Sequence, residues 1–204
     1  MTTRVFDFHK QLVMSTGTAT NTSIGGILLE AIPGSMRAIQ ALAVHDRKGT
    51  DWLLDMKSGE WCRVDCKIRE EDPVKRYGAH CDDVALETWS VVEKKVIGWS
   101  LDEKKQTDYI FWLWKDTGRW CLVPFLLLVK AFKAKKDQWL RAYKVAQQNT
   151  ENRYHSECVF VNRKELWQEI FRQANGVSEA LQKADIIQVD MFSENSHESS
   201  RVVL

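Results

Sequence analysis

Several features that would place this chain at once are missing. There is no excess charge of either sign: 29 Lys and Arg stand against 28 Asp and Glu, leaving +1. No global field draws in a polyanion, so any surface for nucleic acid has to be a local patch. Long apolar runs are missing as well. Trp120-Cys-Leu-Val-Pro-Phe-Leu-Leu-Leu-Val129 contains a proline and falls short of the roughly 20 residues a spanning helix requires, so no membrane span and no membrane partner are expected. The first ten residues, Met-Thr-Thr-Arg-Val-Phe-Asp-Phe-His-Lys, carry charges where a secretory signal needs an apolar block, which predicts a cytoplasmic location. Five cysteines (62, 66, 81, 121 and 158) include no CxxC pair. Neither a disulfide framework nor a zinc ribbon follows, and the thiols are expected reduced. His80-Cys81-Asp82-Asp83 is dense in metal-ligand types, but adjacent residues point apart, and a polar loop is the better reading.

A chain of 204 residues, 44% hydrophobic, suffices for one sizeable core. We read one domain over 1–190 and a polar tail over 191–204, whose Ser-Glu-Asn-Ser-His-Glu-Ser-Ser-Arg stretch is too polar to pack. The polar stretch 15–23 ends in good N-cap residues ahead of Ile24-Gly-Gly-Ile-Leu-Leu-Glu-Ala-Ile32, a short helix. Pro33-Gly34 breaks it, and Ser35 caps a predicted second helix over Met36–Ala43, with Met36, Ile39, Leu42 and Ala43 on one stripe. From 49 to 68 the period becomes two, which predicts a β-hairpin turning at Lys57-Ser58-Gly59. Val84–Val91, Tyr109–Trp114, Trp120–Phe125 and Glu157–Val161 read as further strands. Residues 126–148 carry a Lys-rich helical pattern, and Lys164–Ala174 is amphipathic, with Leu166, Trp167, Ile170 and Phe171 on one face. The fold class is α/β or α+β, a mixed central sheet with an N-terminal hairpin meander flanked by helices.

An acidic residue followed two later by Lys occurs six times, beginning at Asp46, Asp55, Asp65, Glu93, Asp102 and Glu103, so the pattern alone selects nothing. Only Asp65-Cys66-Lys67 lies inside a clear alternating strand, with Cys62, Val64, Cys66 and Ile68 facing one way and Arg63, Asp65 and Lys67 the other. A three-residue loop closed by a left-handed glycine pairs Met56 with Glu60, Leu53 with Arg63, and Asp51 with Asp65. Carboxylates facing each other across strands, Cβ atoms roughly 5 Å apart, suit a divalent cation between them. The same spacing also fits a solvated hairpin face whose Asp–Asp mismatch is relieved by Lys67 and Arg63, and a one-residue slip would turn Asp51 away.

Gly49-Thr-Asp51, followed by a hairpin ending Val64-Asp-Cys-Lys-Ile-Arg69, resembles the PD-(D/E)xK nuclease superfamily, chiefly over residues 24–90. Thr50 stands where the family name has proline. The resemblance implies a core of helix, three-stranded meander, helix and further strand, and a Mg²⁺ (or Mn²⁺) dependent DNA nuclease. It makes Asp51, Asp65 and the Cys66 carbonyl metal ligands and Lys67 the residue that orients or activates water. Many members add a glutamate from the preceding helix; Glu30 is the candidate, with Glu87 a weaker one. By analogy of fold, a homodimer is an expected assembly. A catalytically inert member serving as a nucleic-acid-binding or protein-interaction module is the alternative. The basic segment Lys130, Lys133, Lys135, Lys136, Arg141 and Lys144, interleaved with Phe132, Trp139 and Tyr143, supplies either phosphate contacts, with Lys133, Lys136, Arg141 and Lys144 as the candidates, or an ordinary solvated face. Trp61 and Trp120 are candidates for base stacking, while Trp52, Trp112, Trp114 and Trp167 sit in core-like patterns.

Overall fold

A computed structural model describes residues 18–42, 45, 48–149 and 154–176. The predicted tail lies outside them. The order is α1 (Thr18–Ala31), β1 (Ser35–Gln40), β2 (Trp52–Met56), β3 (Trp61–Arg69), α2 (Pro73–Tyr77) and a 3-10 turn (Ala79–Cys81). Then come β4 (Asp83–Val91), β5 (Val96–Ile97), β6 (Tyr109–Trp114), β7 (Arg119–Pro124), α3 (Phe125–Ala142), β8 (Val145–Asn149) and β9 (His155–Asn162). A further helix, α4, covers 163–176. Five strands form a mixed sheet in the order β1-β2-β3-β6-β7, and four form a second sheet in the order β5-β4-β9-β8.

The hairpin forms where its alternation predicts it. Leu53 pairs with Arg63, Met56 N donates to Glu60 O, and Gly59 N donates to Met56 O. Gly59 has φ +83°, the left-handed value such a loop needs at its last position. Ile24 and Leu28 on α1 and Ile32 just past its end, spaced by four, are buried and pack on Trp52, Leu54, Cys62, Val64, Phe111 and Leu113. The other face of the sheet carries Ile110, Trp112, Trp114, Cys121 and Val123, and it is covered by α3, α4 and the inner residues of β4 and β9. β6, a nearly continuous apolar run, is buried throughout after Tyr109, as expected of a strand covered on both faces with a parallel neighbour, here β3.

Four expectations are corrected. The helix expected over Met36–Ala43 is absent over Met36–Leu42, Ala43 lying outside the described residues: β1 occupies Ser35–Gln40, antiparallel to β2 with Ile39 opposite Leu53. Eight residues with an apolar stripe fit either period, and the ladder hydrogen bonds to β2 prevail over local helix preference. β1 is an edge strand, so Met36 stays 55% exposed. Val84–Val91 is a strand but belongs to the second sheet, paired with β9. The third meander strand is the segment read as a helix. The Lys-rich helix ends at Ala142, and Val145–Asn149 continues as β8 against β9. Lys144 therefore lies outside the helix, with its Nζ over the Phe160 ring. Phe171 is exposed rather than packed with Leu166 and Ile170. All five cysteines are free. Among the described residues no helix is long and apolar enough to cross a membrane.

Charge ties the elements around α2 together. Asp72 is buried, caps α2 through Val74 N, and accepts from Thr117 Oγ1 and from Nε and Nη2 of Arg119. Arg119 also reaches Asp82, which Arg163 at the start of α4 holds from its other side. His80-Cys81-Asp82-Asp83 is thus a turn whose Asp82 is committed to two arginines. Arg119→Ala leaves the Asp72 carboxylate buried with its main counter-charge removed. The cost should be about 2–4 kcal/mol, below the usual 3–5 for a fully buried pair because Arg119 keeps about a quarter of its side chain in water. Urea unfolding should show a lower midpoint for Arg119→Ala, while Arg76→Ala, which breaks the exposed pair with Glu71, should leave the midpoint unmoved.

Candidate active site

β3 alternates strictly, and its two faces meet different neighbours. Cys62 and Val64 enter the core beneath α1. Asp65, Lys67 and Arg69 stand in register beside Ile110, Trp112 and Trp114 of β6, on the face toward the second sheet. Of the two readings the hairpin spacing allows, a solvated face does not hold for Asp65, which is only 3% exposed.

An ionised carboxylate at that depth requires counter-charge, and two lysines provide it. Lys67 Nζ lies 2.9 Å from Oδ1 and 2.7 Å from Oδ2; Lys105 Nζ lies 2.9 Å from Oδ2. Burial pushes the Asp65 pKa up, but the two ammonium groups outweigh it and hold the carboxyl below the ordinary range. Burial likewise lowers Lys67, and the Asp65 carboxylate more than offsets this, so Lys67 stays protonated. Oδ2 nonetheless accepts no well-directed hydrogen bond: both ammonium groups are close, and neither is aligned with it. Trp99 roofs the group, its ring centroid 4.9 Å from Lys67 Nζ.

Asp51 arrives from β2. Val64, the register partner of Trp52, also accepts from Asp51 N, so two residues of one strand oppose one of the other, as in a β-bulge, a device that re-aims side chains. Past this point β3 has no partner on its β2 side, and Asp51 Oδ2 takes the vacant place, accepting from Cys66 N at 2.6 Å. Burial first, and the Asp65 charge second, raise the Asp51 carboxyl to about 7. Two carboxylates and a lysine of the expected set are thus brought together, with the Cys66 backbone fixed against Asp51. Among the described residues no third His, Cys, Asp or Glu side chain joins them to form a metal-ligating group.

Glu30 is exposed on α1 and pairs with no residue of this cluster. Glu87 is in the second sheet, where its Oε2 accepts from Ser90 Oγ and Trp99 N; it anchors the roof over Lys67 rather than adding a ligand. Of the basic segment, Lys133 pairs with Glu103 at 2.7 Å, Lys136 lies over Trp89, and Arg141 is exposed. Trp61 and Trp120 are 45% and 40% exposed.

Lys105 was missed. It ends the Glu103-Lys104-Lys105 match, one of the six, 38 positions beyond Lys67 in a loop whose placement no periodicity reports. Three contacts seat that loop: Gln106 N donates to Lys48 O, Thr50 Oγ1 to Gln106 O, and Thr107 Oγ1 to Tyr109 O. Gly49 is the local sequence signal. Its φ is +84°, a left-handed value that favours glycine, and a Cβ there would meet the Lys105 side chain.

Comparisons with protein-family models, curated proteins and solved structures give no match for this chain.

The raised Asp51 carboxyl makes metal-free stability depend on pH with a defined sign. The folded state holds a proton on Asp51 between the ordinary carboxyl value of 3.8 and about 7, where the unfolded state does not. Stability from this group is therefore full below 3.8 and falls as pH rises through 7. The shift corresponds to at most roughly 4 kcal/mol. In EDTA, Asp51→Asn should raise the melting temperature at pH 8 and change it little at pH 4. Equal changes at both pH values would refute a buried, protonated Asp51.

Proposed function

We propose that this protein is a divalent-metal-dependent deoxyribonuclease of PD-(D/E)xK type, hydrolysing phosphodiester bonds. The observation that carries the reading is the convergence of Asp51, Asp65 and Lys67 at one end of the hairpin, with the Asp51 carboxyl raised to about 7 beside a second carboxylate. The order α1, β1-β2-β3, α2 and, after the intervening β4 and β5 of the second sheet, β6 can be laid over the element order expected of that superfamily.

The residues fit a divalent cation. Asp65 Oδ2 is a buried anionic oxygen without a directed hydrogen bond, and two carboxylates in one pocket lower their mutual repulsion by sharing a cation. Asp51, Asp65 and the Cys66 carbonyl would hold it. The chemistry such an ion supplies is Lewis-acid neutralisation of phosphate charge and a more acidic water. The chain's own groups do the rest. Asp65 keeps Lys67 protonated, and Lys67 places an ammonium where charge develops on the phosphate. The Trp99 ring keeps bulk water from that ammonium and so strengthens its field. Cys66 N fixes Asp51, preorganising the carboxylate pair.

Lys67→Ala removes this ammonium and no ligand. Cleavage of labelled linear, circular, single-stranded and junction DNA in Mg²⁺ or Mn²⁺ should slow by about 10²-fold or more, with folding retained. Lys57→Ala and Lys48→Ala, in the turn and the preceding loop, should cut like wild type. Equal cleavage by all three would remove Lys67 from the chemistry.

One observation favours a second reading, an inert member acting as a binding module: Lys105 already sits 2.9 Å from the oxygen a metal would use. Calorimetric titration with Mn²⁺ separates the two. If Lys105 only competes with metal, Lys105→Ala should bind Mn²⁺ about tenfold more tightly, equivalent to ~1.4 kcal/mol. No Mn²⁺ binding by wild type or Lys105→Ala would favour the inert module.

A further inference from the structure

Three arginines among the described residues are partly buried. Arg119 is held by Asp72 and Asp82, and Arg163 by Asp82. Arg69 is not held by any carboxylate of the described residues. It ends β3, on the same face as Asp65 and Lys67 and opposite Trp114 of β6. Among the described residues its side chain makes one hydrogen bond, from Nη1 to the Ile68 carbonyl at 3.1 Å. The acidic residues nearest in sequence are committed elsewhere, Glu70 to Lys115 and Glu71 to Arg76. On the facing sheet, Glu87 holds Ser90 and Trp99, while Glu157 holds Thr88 and Gln147.

Taking a cation partly out of water without a counter-ion costs free energy, and burial accordingly pulls the Arg69 pKa below its ordinary value. Such an arrangement is stable in use when a ligand brings the anion. Arg69 follows Lys67 by two residues on the same strand face, roughly 6.6 Å along the strand, so it adds a third cation beyond the two ammonium groups at Asp65. The guanidinium fork matches two phosphate oxygens at once. We propose that Arg69 grips a backbone phosphate of the nucleic-acid strand next to the one that Lys67 faces, fixing the strand along β3. This rests on the nuclease reading and specifies how that site holds its substrate.

The test is fluorescence anisotropy with labelled single-stranded and duplex DNA, in EDTA so that nothing is cut, over a range of salt concentrations. Arg69→Gln should bind more weakly whatever the sequence, with the slope of log affinity against log salt shallower by about 1, because one phosphate contact no longer releases a counterion. With Mn²⁺ present, KM should rise more than kcat falls, and calorimetric Mn²⁺ binding should match wild type. Arg69→Lys keeps the charge but lacks the fork, and should retain the slope while binding several-fold more weakly. If Arg69→Gln does not fold, Arg69→Lys decides, and wild-type affinity in that variant overturns the proposal. Wild-type affinity and slope in folded Arg69→Gln likewise overturn it. A wild-type protein that binds no DNA overturns the nuclease reading itself; a wild type that binds and cuts, beside an Arg69→Gln that does both equally, overturns only the assignment of Arg69.

Discussion

An ionised carboxylate nearly sealed from water cannot stand alone, and the environment of Asp65 follows from this constraint. Lys67 is placed by the strand itself, two residues on and therefore on the same face. Lys105 comes from the long connection between β3 and β6 and must be brought in by its loop. That loop is in turn held down by Thr50 and Lys48, the residues flanking Gly49, and the lysine runs over Gly49, where a side chain would meet it. One buried charge thus dictates the chemistry of two segments far apart in sequence. It also explains the opposite behaviour of its neighbour: with both ammonium groups drawn to Asp65, Asp51 meets burial and a like charge, and its carboxyl rises.

The second constraint is topological. Because β6 lies parallel to β3, the chain must travel back across the sheet between them, and residues 70–108 do so by building half of a second sheet. The charged face of β3 is covered as a result. A hairpin face left in water would hold Asp65 and Lys67 in a weak, screened pair; beneath Trp99 the same pair is a strong local field. The Asp72–Arg119–Asp82–Arg163 chain secures the start of this crossover to β7 and to α4. It is a structural counterpart to the site, with every charge answered, and the contrast makes the unanswered Arg69 informative.

How much of this was legible in the sequence depended on range. The hairpin, its loop and the pairing of Leu53 with Arg63 are local, set by alternation and by one glycine with positive φ, and they read directly. So does β6, whose run of apolar residues admits little else. β1 did not read, because its six residues on a sheet edge, four of them exposed and none buried, carry no two-residue burial alternation, and their state is decided by pairing with β2. β8 was hidden behind a lysine-rich helix whose composition runs on past its end. Of the site, Asp51, Asp65 and Lys67 are neighbours through local geometry and were accessible; Lys105 and Trp99 are set by the crossover, and no spacing rule reaches them.

The same crossover joins the candidate site to the basic helix. Glu103, two residues before Lys105, pairs with Lys133 of α3, and Lys104 lies between them, lining a cavity with Lys133 and Lys136. The Glu103–Lys133 pair is exposed on both sides, hence weak and readily exchanged for a competing anion, whereas the Lys105–Asp65 pair is nearly dry. A polyanion lying along α3 would displace the weak contact first, at a point two residues from the strong one. In this arrangement the segment carrying Lys105 is held firmly at Asp65 and loosely at Lys133, so an anion at the helix would act on the end of the loop that yields, leaving the buried charge arrangement to set the resting position of the lysine.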